Sequence, residues 1–302
     1  YFSKKIAFSK DNKNNLSRVI VFIGRLSVAL GIIVSLVTVS TGLGSKKAIK
    51  NRMADFVGHI SVKSTKSNSS YNSSVLHKEG LNVKGIQNLP DVSNTQSYAT
   101  VSGILRTEEN FAGVILKGVA KDFDAERFQS FMVAGEVPKF TEEGYNNQVI
   151  LSDKIANDLH LKPKDSIVAI FSKEDQQPIY RKFEISGIYK TDIKMIDDLF
   201  IIGDINHVRK IQDMAKTEVG GIDIFLKDSD DIDAVYPTIE KLIGYKNYAE
   251  KATDKYPHIV DWINIFDTNI GLIITIMLIV VVINIIMVLL ILIIERTNSI
   301  GM

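Results

Sequence analysis

The side chains able to do chemistry are scattered along this sequence. Its five histidines, His59, His77, His160, His207 and His258, lie far apart, and none stands in an H-E-x-x-H pair or another close ligand spacing. A metal site would need long-range assembly, and none is expected. The absence of cysteine removes disulfides and thiolate ligands as well. Lys84-Gly85 and Lys117-Gly118 have neither a preceding glycine loop nor a following Ser or Thr, so the chain does not cradle ATP in a P-loop. No G-x-S-x-G nucleophile elbow occurs either. The sequence reads as a non-catalytic chain without a cofactor of its own, and any energy that drives it comes from another subunit. A net charge of +1 argues against nucleic acid as a partner.

The polar chemistry that is present concerns packing and recognition. Ser27, Gly31 and Ser35 recur every four residues, and Thr38 with Gly42 extends the stripe, a pattern that lets helix backbones approach closely. Asn284 interrupts a long apolar run, where an interhelical hydrogen bond worth about 0.6 kcal/mol is the usual solution. The segment 171–181 is polar, carries Pro178 and joins two strand-like runs, so its tip should project into solvent as a surface loop.

The elements that position these residues are dominated by two uncharged stretches. Residues 268–294 hold no charged side chain, and the apolar run 270–294, at 1.5 Å per residue, exceeds a hydrocarbon core of roughly 30 Å. Residues 26–44 form a second stretch, bounded by Arg25 and by Lys46-Lys47. Arg25 at mid-bilayer would cost about 2.5–3.5 kcal/mol, so it is expected at the cytoplasmic boundary, with 19–24 as a juxtamembrane turn or a portion past which the arginine snorkels. Lys4, Lys5, Lys10, Lys13 and Arg18 face only Asp11 before the first span, which keeps that end cytoplasmic and exports the middle. The expected organisation is 1–25 cytoplasmic and juxtamembrane, 26–45 the first span, 46–262 the exported domain with helical stalks, 263–294 the second span and 295–302 a cytoplasmic segment. The sequence reads as a fragment of a longer protein.

Within the exported part, 46–57 has helical apolar spacing and should end at Gly58. A short strand is expected at 59–62, a polar loop at 63–74, and a hairpin from 97–106 and 111–119 around Glu108-Glu109-Asn110. Further strands are expected at 148–151, 166–171, 183–189, 199–202 and 221–226. Helices are expected at 153–159, capped by Ser152 or Asp153, at 206–214 and at 232–243. Trp262 and Phe266 should mark the outer membrane interface. The mixture implies an α+β domain between two long transmembrane α-helices.

At the second span the sequence begins to resemble a family. Asn284-Ile285-Ile286, then Ile294-Glu295-Arg296-Thr297 and Ile300-Gly301-Met302, is similar to the "N-I-I … E-R-x-x-x-I-G" signature of ABC-transporter permeases of the FtsX/MacB superfamily. Residues 24–48, with Gly31 and Thr41-Gly42, resemble the first helix of the lipoprotein-releasing permeases LolC and LolE. Gly58-His59-Ile60 falls where those permeases often have a His-Ile, and residues 113–119 are similar to their "G-V-x-x-x-G-I" strand. Leu161-Lys162-Pro163-Lys164-Asp165 matches their "L-x-x-G-D" turn, with Lys164 in place of the glycine. The resemblance implies a MacB-like periplasmic domain of two subdomains and a multi-pass protein of the bacterial inner membrane with two further helices beyond Met302. It implies a separate ABC ATPase that binds ATP and Mg, coupled through Glu295, Arg296, Ile300 and Gly301, and a second permease subunit, identical or homologous. It also implies a lipoprotein substrate and a periplasmic lipoprotein carrier, the carrier captured by the hairpin around Gln177, Pro178 and Arg181. Ser27, Gly31, Ser35 and Asn284 would pack the helices, and Leu36, Val39, Ile273 and Ile276 would face membrane lipids or acyl chains. The alternatives are an FtsX- or MacB-like permease that transmits force to a cell-wall enzyme or exports a peptide, and a two-helix sensor receptor.

Overall fold

The structure, a computed structural model, describes residues 15–68, 70–77, 79–141, 144–172 and 177–300. It divides into two compact units, Tyr1–Ile49 with His258–Met302, and Lys50–Pro257. The first holds most of two long helices, Asn15–Val57 and Pro257–Ile300, each with a stretch long and apolar enough to cross a membrane. On the N-terminal helix the half-buried or buried positions include 24, 28, 31, 35, 38 and 42, and on the C-terminal helix 270, 274, 277, 281, 284 and 288. Steps of three and four make a narrow seam of the coiled-coil kind. The pairing is antiparallel: a Cβ added at Gly24 would stand 2.5 Å from Val288 Cγ2, one at Gly31 3.2 Å from Val281 Cγ2, and one at Gly42 would collide with Ile270. Lys46 forms an ion pair with Asp267 near the other end of the contact. Ser27, Gly31, Ser35 and Asn284 all lie among the half-buried positions.

Of the two readings of 19–24, a juxtamembrane turn or a portion past which Arg25 snorkels, the turn does not form. The helix is unbroken from Asn15, because arginine is a good helix former and one polar side chain does not interrupt the backbone ladder. The N-terminal residues 1–14 lie outside the described residues.

The second unit is built on one sheet, ten-stranded among the described residues. In chain order the strands are β1 (Ile60–Ser64), β2 (Val92–Arg106), β3 (Phe111–Val119), β4 (Met132–Gly135), β5 (Gln148–Ser152), β6 (Ser166–Phe171), β7 (Ile179–Tyr189), β8 (Phe200–Asp204), β9 (Gly221–Leu226) and β10 (Asn247–Lys251). The pairings β2–β3–β8–β5–β7–β6 return to β2 and close a ring, within which β3–β8 and β5–β7 are parallel. Leu105, Leu116, Leu151, Phe171 and Phe183 belong to the core of this part. The first half of β2 continues into an open arm, β2–β9–β1–β10, whose core packs Ile60, Ile224 and Leu226 with Val235 and Ile239 of the helix Ile232–Leu242. The long strand β2 thus belongs to both halves, an α+β arrangement of two subdomains sharing one strand.

Most expected elements form, with shifted ends. The first strand begins at Ile60 and runs to Ser64, taking two residues from the expected loop at 63–74. Strands β4 and β10 and the short helices Val83–Gln87 and Ala125–Gln129 were not legible, being too short or too polar to show a period. Ser152 caps the helix Asp153–Asp158, its hydroxyl accepting from Ile155 N at 3.1 Å.

Lys164, the residue in the glycine place of the 161–165 turn, sits at φ +78, the left-handed region that glycine occupies freely. Left-handed backbone costs an L-residue about 1–2 kcal/mol, and glycine's greater unfolded freedom returns part of that. Lys164→Gly should therefore raise the stability of the purified protein by about 0.5–1 kcal/mol in chemical denaturation, whereas a loss of stability would show that the turn is not strained.

Candidate functional site

The N-terminal helix ends inside the second unit, and its last turns form the best-built site there. Met53, Ala54, Phe56 and Val57 are buried. Gly58 stops the helix at φ +81, with its N–H donating to Ala54 O at 2.8 Å, and a Cβ there would press on Asp223. Two constraints, backbone and space, therefore demand glycine.

A buried ion pair grips this helix end. Lys117 of β3 donates to Asp223 Oδ2 of β9 at 2.7 Å and to the Phe56 carbonyl at 3.0 Å, so one ammonium joins the sheet to the helix C-terminus. Their side chains are 10% and 2% exposed. Asp223 also accepts from the Ser61 hydroxyl of β1. The ammonium lies 5.5 Å from the Phe56 ring centroid and 5.2 Å from that of Tyr98. Burial pushes Lys117 below the usual lysine range against the opposing pull of Asp223, and burial with the nearby Asp223 charge pushes Tyr98 well up. Phe56 stacks on Tyr189 at 5.4 Å and meets Phe128, Phe131 and Phe200 within an aromatic cluster.

A second layer holds the same segment from the side. Asn51 accepts from Ser229 Oγ at 2.5 Å, Ser229 lies 3.2 Å from His59 Nε2, and His59 Nδ1 accepts from Leu226 N at 3.2 Å. Arg127 reaches Asp55 at 3.3 Å and lies 4.6 Å from the Phe225 ring centroid. Burial, with Arg127 nearby, lowers His59 to about 4, so the ring is neutral in the folded protein. Among the described residues no cluster of metal-ligating side chains occurs.

The sequence reading missed this site, although two signals pointed to it. Lys117 and Asp223 are each the lone charge in a strand otherwise fit for burial, and two such residues must find each other.

The hairpin between β6 and β7 presents Gln177 and Pro178 in the exposed state and Arg181 half-buried, with Arg181 Nη1 donating to Tyr180 O at 3.1 Å; its tip, 173–176, lies outside the described residues. Beside it the register lines up Ile104, Ile170 and Tyr180 across β2, β6 and β7, with Phe111 and Val168 in the next row. Phe111 is 78% and Tyr180 62% exposed, and a groove of about 780 Å³ lined in part by Val168, Ile170 and Tyr180 runs along this face. Leu36, Ile273 and Ile276 are exposed on the long helices and Val39 is half-buried. Glu295, Arg296 and Ile300 fall on the last turns of the C-terminal helix, whose side chains, like that of Trp262, are outside the described residues, as is Gly301 altogether.

Residues 25–242, well over half the chain, match the model of the MacB-like periplasmic core domain family. A curated relative, the lipoprotein-releasing system transmembrane protein LolC of Buchnera aphidicola subsp. Schizaphis graminum (strain Sg), is 21% identical over 222 residues, which are 71% of this chain and 52% of the relative. The chain thus spans about half the length of that relative. Similar solved structures include the extracellular domain of the noncanonic ABC-type transporter YknZ from Gram-positive bacteria, with TM-score 0.42, 15% identity and coverage of 64% of this chain and 99% of that one. The periplasmic region of MacB from Actinobacillus actinomycetemcomitans has TM-score 0.42 and 13% identity, with coverage of 67% and 92%.

Two outcomes follow from the seated helix end. Lys117→Met strands a buried carboxylate and should cost about 3–5 kcal/mol, with substantial recovery in the double variant Lys117→Met, Asp223→Leu. A single-variant loss below about 1 kcal/mol in denaturation would refute the pairing. For His59 the folded state binds its proton later than the unfolded chain, so stability is complete above pH 6.5 and falls as pH drops toward about 4. The loss should reach at most about 3 kcal/mol and diminish in His59→Gln, and an unchanged pH profile in that variant would assign the loss elsewhere.

Proposed function

Because the chain belongs to the MacB-like periplasmic core domain family, we propose that it is a permease subunit of an ABC transporter that releases lipoproteins from the inner membrane to a periplasmic carrier, driven by ATP hydrolysed in a separate subunit. The observation that carries this reading is the N-terminal helix itself, which holds both an apolar stretch fit to cross a membrane and a C-terminal end gripped by Lys117 and Asp223. A helix so held transmits displacement instead of dissipating it. In this mechanism ATPase closure pushes on the segment containing Glu295, Arg296, Ile300 and Gly301, the two long helices shift along their seam, and the exported domain follows. The second permease subunit completes the machine on the other side.

The lipoprotein substrate is supported by the relative named for lipoprotein release, and the carrier site by surface chemistry. Gln177 and Pro178 lie next to an apolar row made of exposed Ile104 and Tyr180 with half-buried Ile170, and Arg181 stands on the other face of the same strand end. Leu36, Val39, Ile273 and Ile276 offer apolar contact to acyl chains.

The test is reconstitution of the full-length permease with its ATPase in liposomes, following transfer of an acylated lipoprotein to the soluble carrier. Arg181→Glu with Tyr180→Ser should lower carrier capture by at least about tenfold while ATP hydrolysis continues. Hydrolysis without any lipoprotein transfer by the unaltered protein would contradict lipoprotein release and favour a permease that transmits force alone.

A further inference from the structure

The seam between the long helices sets Arg25 beside the interior of the facing apolar run. Gly24 packs on Val288, and the second helix stays uncharged for six more residues before Glu295, so Arg25 lies about 10 Å inside the end of the facing apolar run. No acidic residue of the C-terminal helix is level with it, since 268–294 contains none. A guanidinium at that depth needs an anion or a path to the surface.

The groove around it has the polarity of a lipid. A cavity of about 460 Å³ is lined by Arg25, Val28, Ala29 and Ile32 on one helix and by Asn284 and Ile285 among others on its partner. From Arg25 the apolar side chains Val28, Ala29 and Ile32 lead toward the middle of the run, away from the basic flank that marks the cytoplasmic end. Helical side chains tilt toward their own N-terminus, so the arginine head is biased to the cytoplasmic side and the apolar track to the bilayer centre. A phospholipid of the cytoplasmic leaflet has the same order: phosphate outermost, acyl chain inward. The guanidinium is the group best suited to a phosphate in a poorly hydrated place.

We propose that this groove binds one phospholipid of the cytoplasmic leaflet, its phosphate on Arg25 and an acyl chain along Val28, Ala29 and Ile32. The site rests on the membrane-spanning reading of the two helices, but not on lipoprotein release, and lipid binding is measured without transport. It fills the arginine's need for an anion with a component of the membrane, leaving the extracytoplasmic half of the seam to other contacts.

The experiment is native mass spectrometry of the delipidated full-length permease titrated with dioleoylphosphatidylglycerol. Unaltered protein should carry a bound lipid that Arg25→Gln weakens by about tenfold and Arg25→Lys by much less, since a lysine keeps the charge but not the fork. Ala29→Phe, which fills the track and leaves the arginine in place, should also displace the lipid. Equal lipid occupancy in unaltered protein and Arg25→Gln, or in Ala29→Phe, overturns the proposal. So does a photocrosslinker at position 29 that reacts with a protein helix and not with lipid.

Discussion

A lysine ammonium held between an aspartate and a helix carbonyl is the constraint on which this architecture turns. Lys117 and Asp223 come from strands that are not neighbours, β3 and β9, with β2 between them. Their pairing across β2 fixes the sheet face on which the helix end must lie, and the Phe56 carbonyl completes the ammonium's bonding. Neither charge can be buried without the other, and Gly58 exists because the backbone must turn immediately against Asp223. The aromatic cluster around Phe56 adds apolar area to the same junction, so electrostatics sets the register while burial supplies most of the adhesion.

The N-terminal helix has two kinds of packing along its length. Up to Ile49 it meets the C-terminal helix through glycines and small side chains that allow close approach. From Lys50 onward it is held by hydrogen bonds, an ion pair and large apolar residues. The seam is held by close apolar packing, whereas the socket adds an ion pair, hydrogen bonds and stacked rings.

Much of the fold was legible because its periods are clean. The two uncharged runs, the hairpin 97–119 and the strand 221–226 follow from apolar spacing, and Gly58 from its place after a helical run. The ring closure was not legible, since nothing local distinguishes a strand whose one edge pairs with β3 and whose other edge passes from β9 to β6 along its length, as that of β2 does. The socket was half visible: His59 and the 113–119 strand stood out, but Asp223 reads as a surface acid until its neighbours on both sides are known to be buried. Arg25 was placed by its cost, and the helix register, which only a partner helix can supply, sets it beside Val288 and its neighbours. The hairpin at Gln177 was read as a loop, and the apolar row beside it was hidden because its members come from three strands.

The central claim is that the seated helix end and the domain around it move as one body. These 302 residues contain no cysteine, so spin labels can be placed at Lys50 and Gln177 of the full-length permease once any cysteine outside them is replaced, with their separation followed by pulsed electron spin resonance with and without ATP bound to the proposed partner ATPase. The account predicts a narrow distance distribution that is the same in both states. A shift by about a helical turn, roughly 5 Å, or a clear broadening on ATP binding would mean that the helix leaves its socket, and would contradict it.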